Sequence, residues 1–496
     1  MNRHDLHVLH LARVVLETKT ALSIGTGLSE STFDTQLVRD ANGLPALPAT
    51  AVAGVLRHLW IDTHGAGEEA SADVLFGFQR KDQGAAARLS ISWGALLDSQ
   101  GRPAEGLLLG DERQRLEGDE LYKTVLQQVD APVVRDRVRL THRGAAADKG
   151  KFDRSVLPAG HRFALELRLW SQAKDDPDWQ RLLGLLAHPL FRLGGATRAG
   201  LGAMRLVTCH ERSFDLKNAE DIAAFRDLGR GLTDTGGLEA FQVQLPEDAA
   251  VLSGTLKLEA RGLWRIGQGE SLLGPDARGK VADLLPKVEE VIDWGTGKGK
   301  RKLQMCLLPA SSLKGALSHR IAFHCRRLAG RWAGSETDED ALNARPAAVD
   351  ALLGAVKNDE SKGEAAGCVG ALLIDDAWIA ADTVQVARLM HNAIDRFTGG
   401  VRDRVLYEEE SLFGGEIEVP ITLDQRRLAK NCERLGISEE ERANVRQALR
   451  LALDDLRRGR LALGSRTTTG NGFFDGQLEG PLRDWLNEND DQEAAA

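Results

Sequence analysis

The residues best placed for chemistry stand at two proline corners. In Leu308-Pro309-Ala310-Ser311-Ser312-Leu313-Lys314, two hydroxyls and an ammonium follow the proline where a helix is expected to start. A helix N-terminus carries free N–H groups and about half a positive charge, so phosphate is the natural ligand. The same hydroxyls also suit an ordinary N-cap. The echo Leu47-Pro48-Ala49-Thr50-Ala51-Val52-Ala53, with Pro48 and Pro309 separated by 261 positions (309 − 48), puts Ala53 where the second copy has its lysine and leaves Arg57 one turn on. Glycine-rich stretches add backbone that can approach a ligand closely: Gly194–Gly202 with Arg198, and Gly464–Gly472 with Arg466. A tight helix-to-strand turn uses glycine in the same way, and the Walker spacing is absent. Acids precede each corner: Asp34 and Asp40 in the first copy, Glu289, Glu290 and Asp293 in the second. A loop carboxylate near a phosphodiester could hold a metal ion or help activate a 2′-hydroxyl, although most such acids are caps or solvated charges. His142, within LTHR, is the histidine best sited as a general base, and Asp395 within AIDR occupies its place in the second half.

Positioning these groups takes two sets of elements in the same order. In the first half the patterning predicts a strand over 8–24, broken by Gly25-Thr26-Gly27. A helix follows from Thr50 (its N-cap) to about His64, then a short helix at 73–77 and a strand at 88–95. The charged stretch 100–130 reads as a projecting hairpin. A strand at 162–170, a helix at 176–187 and a closing strand at 203–209 complete the unit. The second half repeats it: a strand over 252–266 broken by Gly267-Gln268-Gly269, an insertion 270–303, and a helix from Ser312 to about Leu328. A short helix at 349–354, strands at 371–374 and 416–423, and a helix at 439–458 follow. Gly194 and Gly464 differ by 270 (464 − 194). The chain thus divides into 1–212, a connection 213–248, a second unit 249–484 and a tail 485–496 expected to be disordered. The expected fold class is α+β with antiparallel sheets.

Composition narrows the function. At 496 residues two domains are the prior. The five cysteines form no CxxC pair, which argues against a disulfide framework or structural zinc. No HExxH, Ser-His-Asp order or signal peptide is present, and no run reaches the roughly 18 apolar residues that span a membrane. A cytoplasmic protein with no membrane partner is expected. The net charge of −9 disfavours nucleic acid without excluding a local basic groove. Aromatic residues make up only 5 %, which favours backbone recognition over base stacking.

LPASSLKGALSHR, NAIDRFTGG, LYEEESLFGGEIEVPITL and LGSRTTTGNGFF together resemble the RAMP superfamily, the backbone subunits of type III CRISPR–Cas effector complexes. IGTGLS, DTQLVRDANGLPALPATAVAGVLR, VRLTHRGAAADKGKFDRSVLPAGHRFAL and LGGATRAGLGAM match it more loosely in the first half. The resemblance implies two tandem ferredoxin-like (RRM-like) domains stacked along a guide CRISPR RNA, each with a projecting hairpin that flips out one nucleotide. It also implies other effector subunits as partners and a single-stranded target RNA. Members that slice use a loop aspartate with a divalent metal, Mg2+ or Mn2+, within a pattern like D-x-x-[VI]-[IV]-[RK]-D. Asp34-Thr35-Gln36-Leu37-Val38-Arg39-Asp40 fits, which makes Asp34 the catalytic and metal-binding candidate. By position Asp293 is its counterpart, 16 residues before its proline against 14. Ser311, Ser312, Lys314, Thr50, Arg57, Arg143, Arg198, Arg396 and Arg466 are the expected RNA-binding residues. The first hairpin is expected in 100–130 and the second within 375–390 or 270–303. The fusion resembles double-backbone subunits of the type III-D-like branch. The alternatives are a non-cleaving scaffold, a guide-precursor nuclease using a base such as His142 without metal, and an unrelated phosphate-ligand enzyme.

Overall fold

The computed structural model describes residues 6–27, 36–64, 69–141, 144–243, 248–274, 282–332, 344–355 and 367–488. Its first sheet grows around Val8–Thr18, an eleven-residue β-rich run buried along nearly its whole length. Met204–Asp215 pairs antiparallel on one side of it and Arg162–Ser171 on the other; Leu89–Ile91 extends the sheet beyond the latter. In chain order that is fourth, first, third, second, and the helices Ala49–His64 and Pro177–Leu185 supply the two crossovers. The second sheet has the same order: Phe474–Glu479, Val251–Ala260, Glu416–Asp424 and Leu372–Ile374. Its crossovers are Ala310–Leu328 and Glu439–Arg457. Both units are ferredoxin-like.

Each unit has its own core. One cluster gathers residues from Ala12 to Cys209, with Trp60 and Phe163 fully buried; the other runs from Leu256 to Leu486. The helix Ala310–Leu328 buries Leu313, Leu317, Ile321 and His324, a three- and four-residue spacing that lays one stripe on the sheet. Glu439–Arg457 is closed at its start by a capping box between Ser438 and Glu441.

Several expectations are corrected. The stretch 100–130 does not project: it folds into short helices at Gly110–Arg113, Gln114–Gly118 and Glu120–Gln127 that bury Leu116, Leu121, Tyr122 and Val125. Their apolar spacing was masked by surrounding charge. The first unit's hairpin is instead Arg137–Leu140 with Ala146–Phe152; in the second unit a hairpin starts in the expected 375–390 range, Gln385–His391 with Tyr407–Phe413. A further hairpin, Val288–Asp293 with Lys300–Leu308, docks on the first unit: Ile292 N–H donates to the Ala159 carbonyl at 2.9 Å and Trp294 Nε1 to that of Gly160 at 2.8 Å. Beyond residue 212 the closing strand continues to Asp215; a helix Ala219–Arg226 and the edge strand Glu239–Ala240 follow. Pro481–Asn487 is helical, with Leu482 and Leu486 in the core, so the ordered chain reaches past 485. Residues 489–496 lie outside the described residues.

Candidate nucleic-acid interface

Both proline corners start their helices two residues earlier than the hydroxyls suggest. Ala49 and Ala310 are the first helical residues, so Thr50, Ser311 and Ser312 lie in the first turn and none is an N-cap. The reason at the second corner is tertiary. The Asp376 carboxylate accepts the Ala310 N–H at 2.8 Å and does the capping itself. Lys314 Nζ donates to the Leu353 carbonyl at 2.7 Å, which ties it to the end of the helix Ala347–Leu353.

Around this corner the first unit brings up its glycine loop. The two loops share one conformation. Ala196 and Arg466 both have φ 56°, Gly200 and Gly470 have φ 98° and 97°, and Gly202 and Gly472 have φ 74° and 79°. Leu193 N–H donates to Gly202 at 2.9 Å and Leu463 N–H to Gly472 at 2.8 Å. This register places Arg466 opposite Ala196, and Arg198 opposite Thr468, so the two arginines are not equivalent. Arg466 donates through Nη1 to the Tyr407 hydroxyl at 2.8 Å and pairs with the buried Glu409 at 3.3 Å, fixing its loop to the second hairpin.

Arg198 is different. Its Nε and Nη1 are buried with no hydrogen-bond partner among the described residues. Burial first, then Arg427 and Arg192, push its pKa down to about 10. Burial also pushes Lys314 down to about 8, helped by Arg345, Arg198 and Arg137. Burial lowers Arg137 too, with Arg135 and Arg154 adding to the effect. These cations lie close enough to lower one another, and among them Arg198 has two buried donors with no partner among the described residues. Sequence reasoning missed Arg137, Arg192 and Arg345, because nothing local shows that 137, 198, 314 and 345 converge.

The seam between the units is held by charge. Arg135, buried, donates to Glu289 through Nε at 2.6 Å and Nη2 at 2.7 Å, and to Asp376 through Nη1 at 3.0 Å. Arg192 pairs with Asp375 at 2.5 Å and Lys19 with the same carboxylate at 3.4 Å. Burial raises Asp376 to about 6 against the opposing pull of Arg135 and the Ala310 N–H.

Asp34, His142 and Arg143 lie outside the described residues. Asp293 ends its strand at the seam, where it pairs with Lys302 at 3.1 Å and accepts the Gly295 N–H; these two bonds hold it below the usual carboxylate range. Hydrogen-bond register points to a different counterpart of Asp34. Gly195 N–H donates to Ser23 and Ser465 N–H to Arg265, which aligns Ile24 with Ile266; Val38 N–H then donates to Ile24 and Lys287 N–H to Ile266. Four residues before Val38 stands Asp34, and four before Lys287 stands Asp283. Asp283 is exposed and accepts the Glu408 N–H at 2.9 Å, at the loop end of the second hairpin's paired strands. The insertion hid it by moving the acid 26 residues ahead of Pro309 (309 − 283). Among the described residues, which do not include Asp34, no three His, Cys, Asp or Glu side chains gather as a metal site.

The remaining predicted cations divide. Arg57 is engaged by Asp73, which Arg80 also contacts at 2.8 Å. Arg396 is exposed near the tip of the second hairpin, beside Phe397, which is 98 % exposed. Asp395, opposite His142 in the sequence comparison, accepts the Phe397 and Thr398 N–H groups and shapes that tip. No helix among the described residues is long and apolar enough to cross a membrane.

No curated protein matches the chain. The RAMP superfamily matches it over residues 15–205 and 291–475, one region in each ferredoxin-like unit. With the duplicated strand order, the paired glycine loops and the cationic seam, this match shows that the chain belongs to the RAMP superfamily, which carries a CRISPR-associated RNA-binding role.

Proposed function

We propose that this chain is a guide-RNA-binding backbone subunit of a type III CRISPR effector complex, spanning two successive guide segments with its two units and cutting paired target RNA. The observation that carries this reading is the cation cluster at the seam: Arg198, Lys314, Arg137 and Arg345 drawn from both units, with two Arg198 donors that have no partner among the described residues. A phosphodiester satisfies those donors and neutralises the cluster, and recognition through backbone needs no base stacking. The exposed Phe397 and Arg396 at the second hairpin tip suit displacement of one nucleotide from a stack.

Asp34 and Asp283 are the cutting residues of this proposal. Each carboxylate would take the proton of a target 2′-hydroxyl as that oxygen bonds to the adjacent phosphorus. The 5′-oxygen leaves with a proton from solvent, giving a 2′,3′-cyclic phosphate. The non-cleaving scaffold is the competing reading, because the first copy has Ala53 where the second has Lys314. Sequencing the RNA that co-purifies with the chain tests guide binding, where absence of bound RNA refutes the reading. Counting target fragments with magnesium and with chelator separates a cutting subunit from a scaffold.

A further inference from the structure

The two sheets carry opposite charge patterns on the face turned away from their helices. With Ile24 aligned to Ile266, Glu17 of the first unit corresponds to Glu259 of the second (17 + 242). Glu17 stands directly opposite Arg162 on one neighbouring strand and Arg205 on the other, and pairs with them at 2.8 Å and 2.5 Å. Glu259 stands directly opposite Glu416 and Asp475. A row that reads Arg–Glu–Arg in one sheet reads Glu–Glu–Asp in the other, and like charges directly opposite one another destabilise a sheet. Arg261 engages Asp475 through Nε at 2.6 Å and Lys257 engages Glu479 at 2.9 Å, but Glu259 and Glu416 have no cation partner among the described residues.

The cover over the two faces differs as well. On the first sheet Arg13 pins the connection between the units, donating through Nη1 to the Asp234 carbonyl at 2.6 Å and through Nη2 to that of Gly229 at 2.7 Å; Glu17, on the same face, is 7 % exposed. In the second sheet Thr255 takes the place of Arg13 (13 + 242), and Glu259, Glu416 and Glu418 are exposed.

We infer that this face of the second sheet, Glu259 with Glu416 and Glu418, is a docking surface for an extended, arginine- or lysine-bearing segment of a different protein. The first sheet supplies the template: there the same row sets two guanidiniums on one carboxylate, under a crossing stretch of chain. In the second sheet the carboxylates remain, and the cations must come from outside. A phosphate backbone is repelled by this row, and so is a second copy of a chain of net charge −9. Among the described residues no three carboxylates gather closely enough to hold a metal ion. The inference stands apart from guide binding, which uses the cations at the seam.

The test uses the full chain and a labelled peptide in which arginine alternates with serine, so that an extended backbone puts every guanidinium on one face. Fluorescence anisotropy at about 0.15 M salt, where distant charges are screened, should show binding. Glu416→Arg should weaken it about tenfold, because one exposed attraction is lost and a repulsion gained. The same variant should melt at or above the wild type, because it restores the first sheet's pairing to Glu259. Glu117→Arg makes an equal change in net charge at an exposed site of the first unit and should leave peptide binding within about twofold. No binding by the wild type, or equal weakening by the two variants, overturns the inference. Displacement of the peptide by micromolar Mn2+ would assign the face to a metal, and a loss of RNA affinity on Glu416→Gln would assign it to nucleic acid; either result overturns it. A concentration-dependent oligomer of the wild type in light scattering, lost on Glu416→Arg, overturns the choice of a different protein.

Discussion

Replacing Arg135 with methionine should separate the two units at a readable cost. The guanidinium makes three hydrogen bonds, two to Glu289 and one to Asp376, and all three side chains are buried. Removing one member of a buried, hydrogen-bonded charge group costs about 3–5 kcal/mol, because the carboxylates stay behind without a counter-charge. That is a large part of the roughly 5–15 kcal/mol that keeps a protein folded. The loss should also depend on pH. Burial already raises Asp376 to about 6, so in the wild type its contribution is fully present below the ordinary aspartate range and is lost as pH rises through 6. Without Arg135 that pKa moves higher, and protonation relieves the uncompensated charge as pH falls. Urea unfolding of wild type and Arg135→Met at about pH 5.5 and pH 8 is the assay. The deficit should be larger at pH 8. A deficit under about 1 kcal/mol, or one equal at both pH values, would refute the picture of a dry ionic seam.

Other outcomes follow from the same geometry. Arg198→Ala should weaken RNA binding and reduce the slope of log affinity against log salt by about 0.7, the value for one single-strand phosphate; an unchanged slope in filter binding would remove Arg198 from the interface. RNA affinity should fall as pH rises through about 8, where Lys314 loses its charge, and a Lys314→Met protein titrated in the same buffers should lose that dependence. Asp34→Ala and Asp283→Ala should each abolish one target cut with target binding intact, whereas Asp293→Ala should cut as wild type; fragment lengths on a gel decide. Phe397→Ala should leave stability within about 0.5 kcal/mol, as expected of an exposed side chain, but alter where the target is cut.

Much of the fold was legible because it is local and repeated. The proline corners, glycine loops and amphipathic helices recur in one order, and each follows from spacing or backbone preference that short segments carry themselves. The stretch 100–130 misled because its apolar residues, Leu116, Leu121, Tyr122 and Val125, are thinly spread among charges. The second helix start misled because its cap, Asp376, arrives from the connection between two strands, 66 residues away.

The sequence by itself determined a duplicated, antiparallel α+β chain with phosphate-suited corners, since periodicity, glycine and proline act within a few residues. Only the tertiary structure decided which charges matter. Arg198 is buried beside Arg192 and Arg427, with two donors that have no partner among the described residues. Asp293 is tied to Lys302 across its own hairpin, whose register sets the two side chains together, and Asp283 takes the place opposite Asp34 because hydrogen-bond register, not distance from a proline, sets that place. Electrostatic roles depend on burial and on neighbours in space, and a linear pattern holds neither.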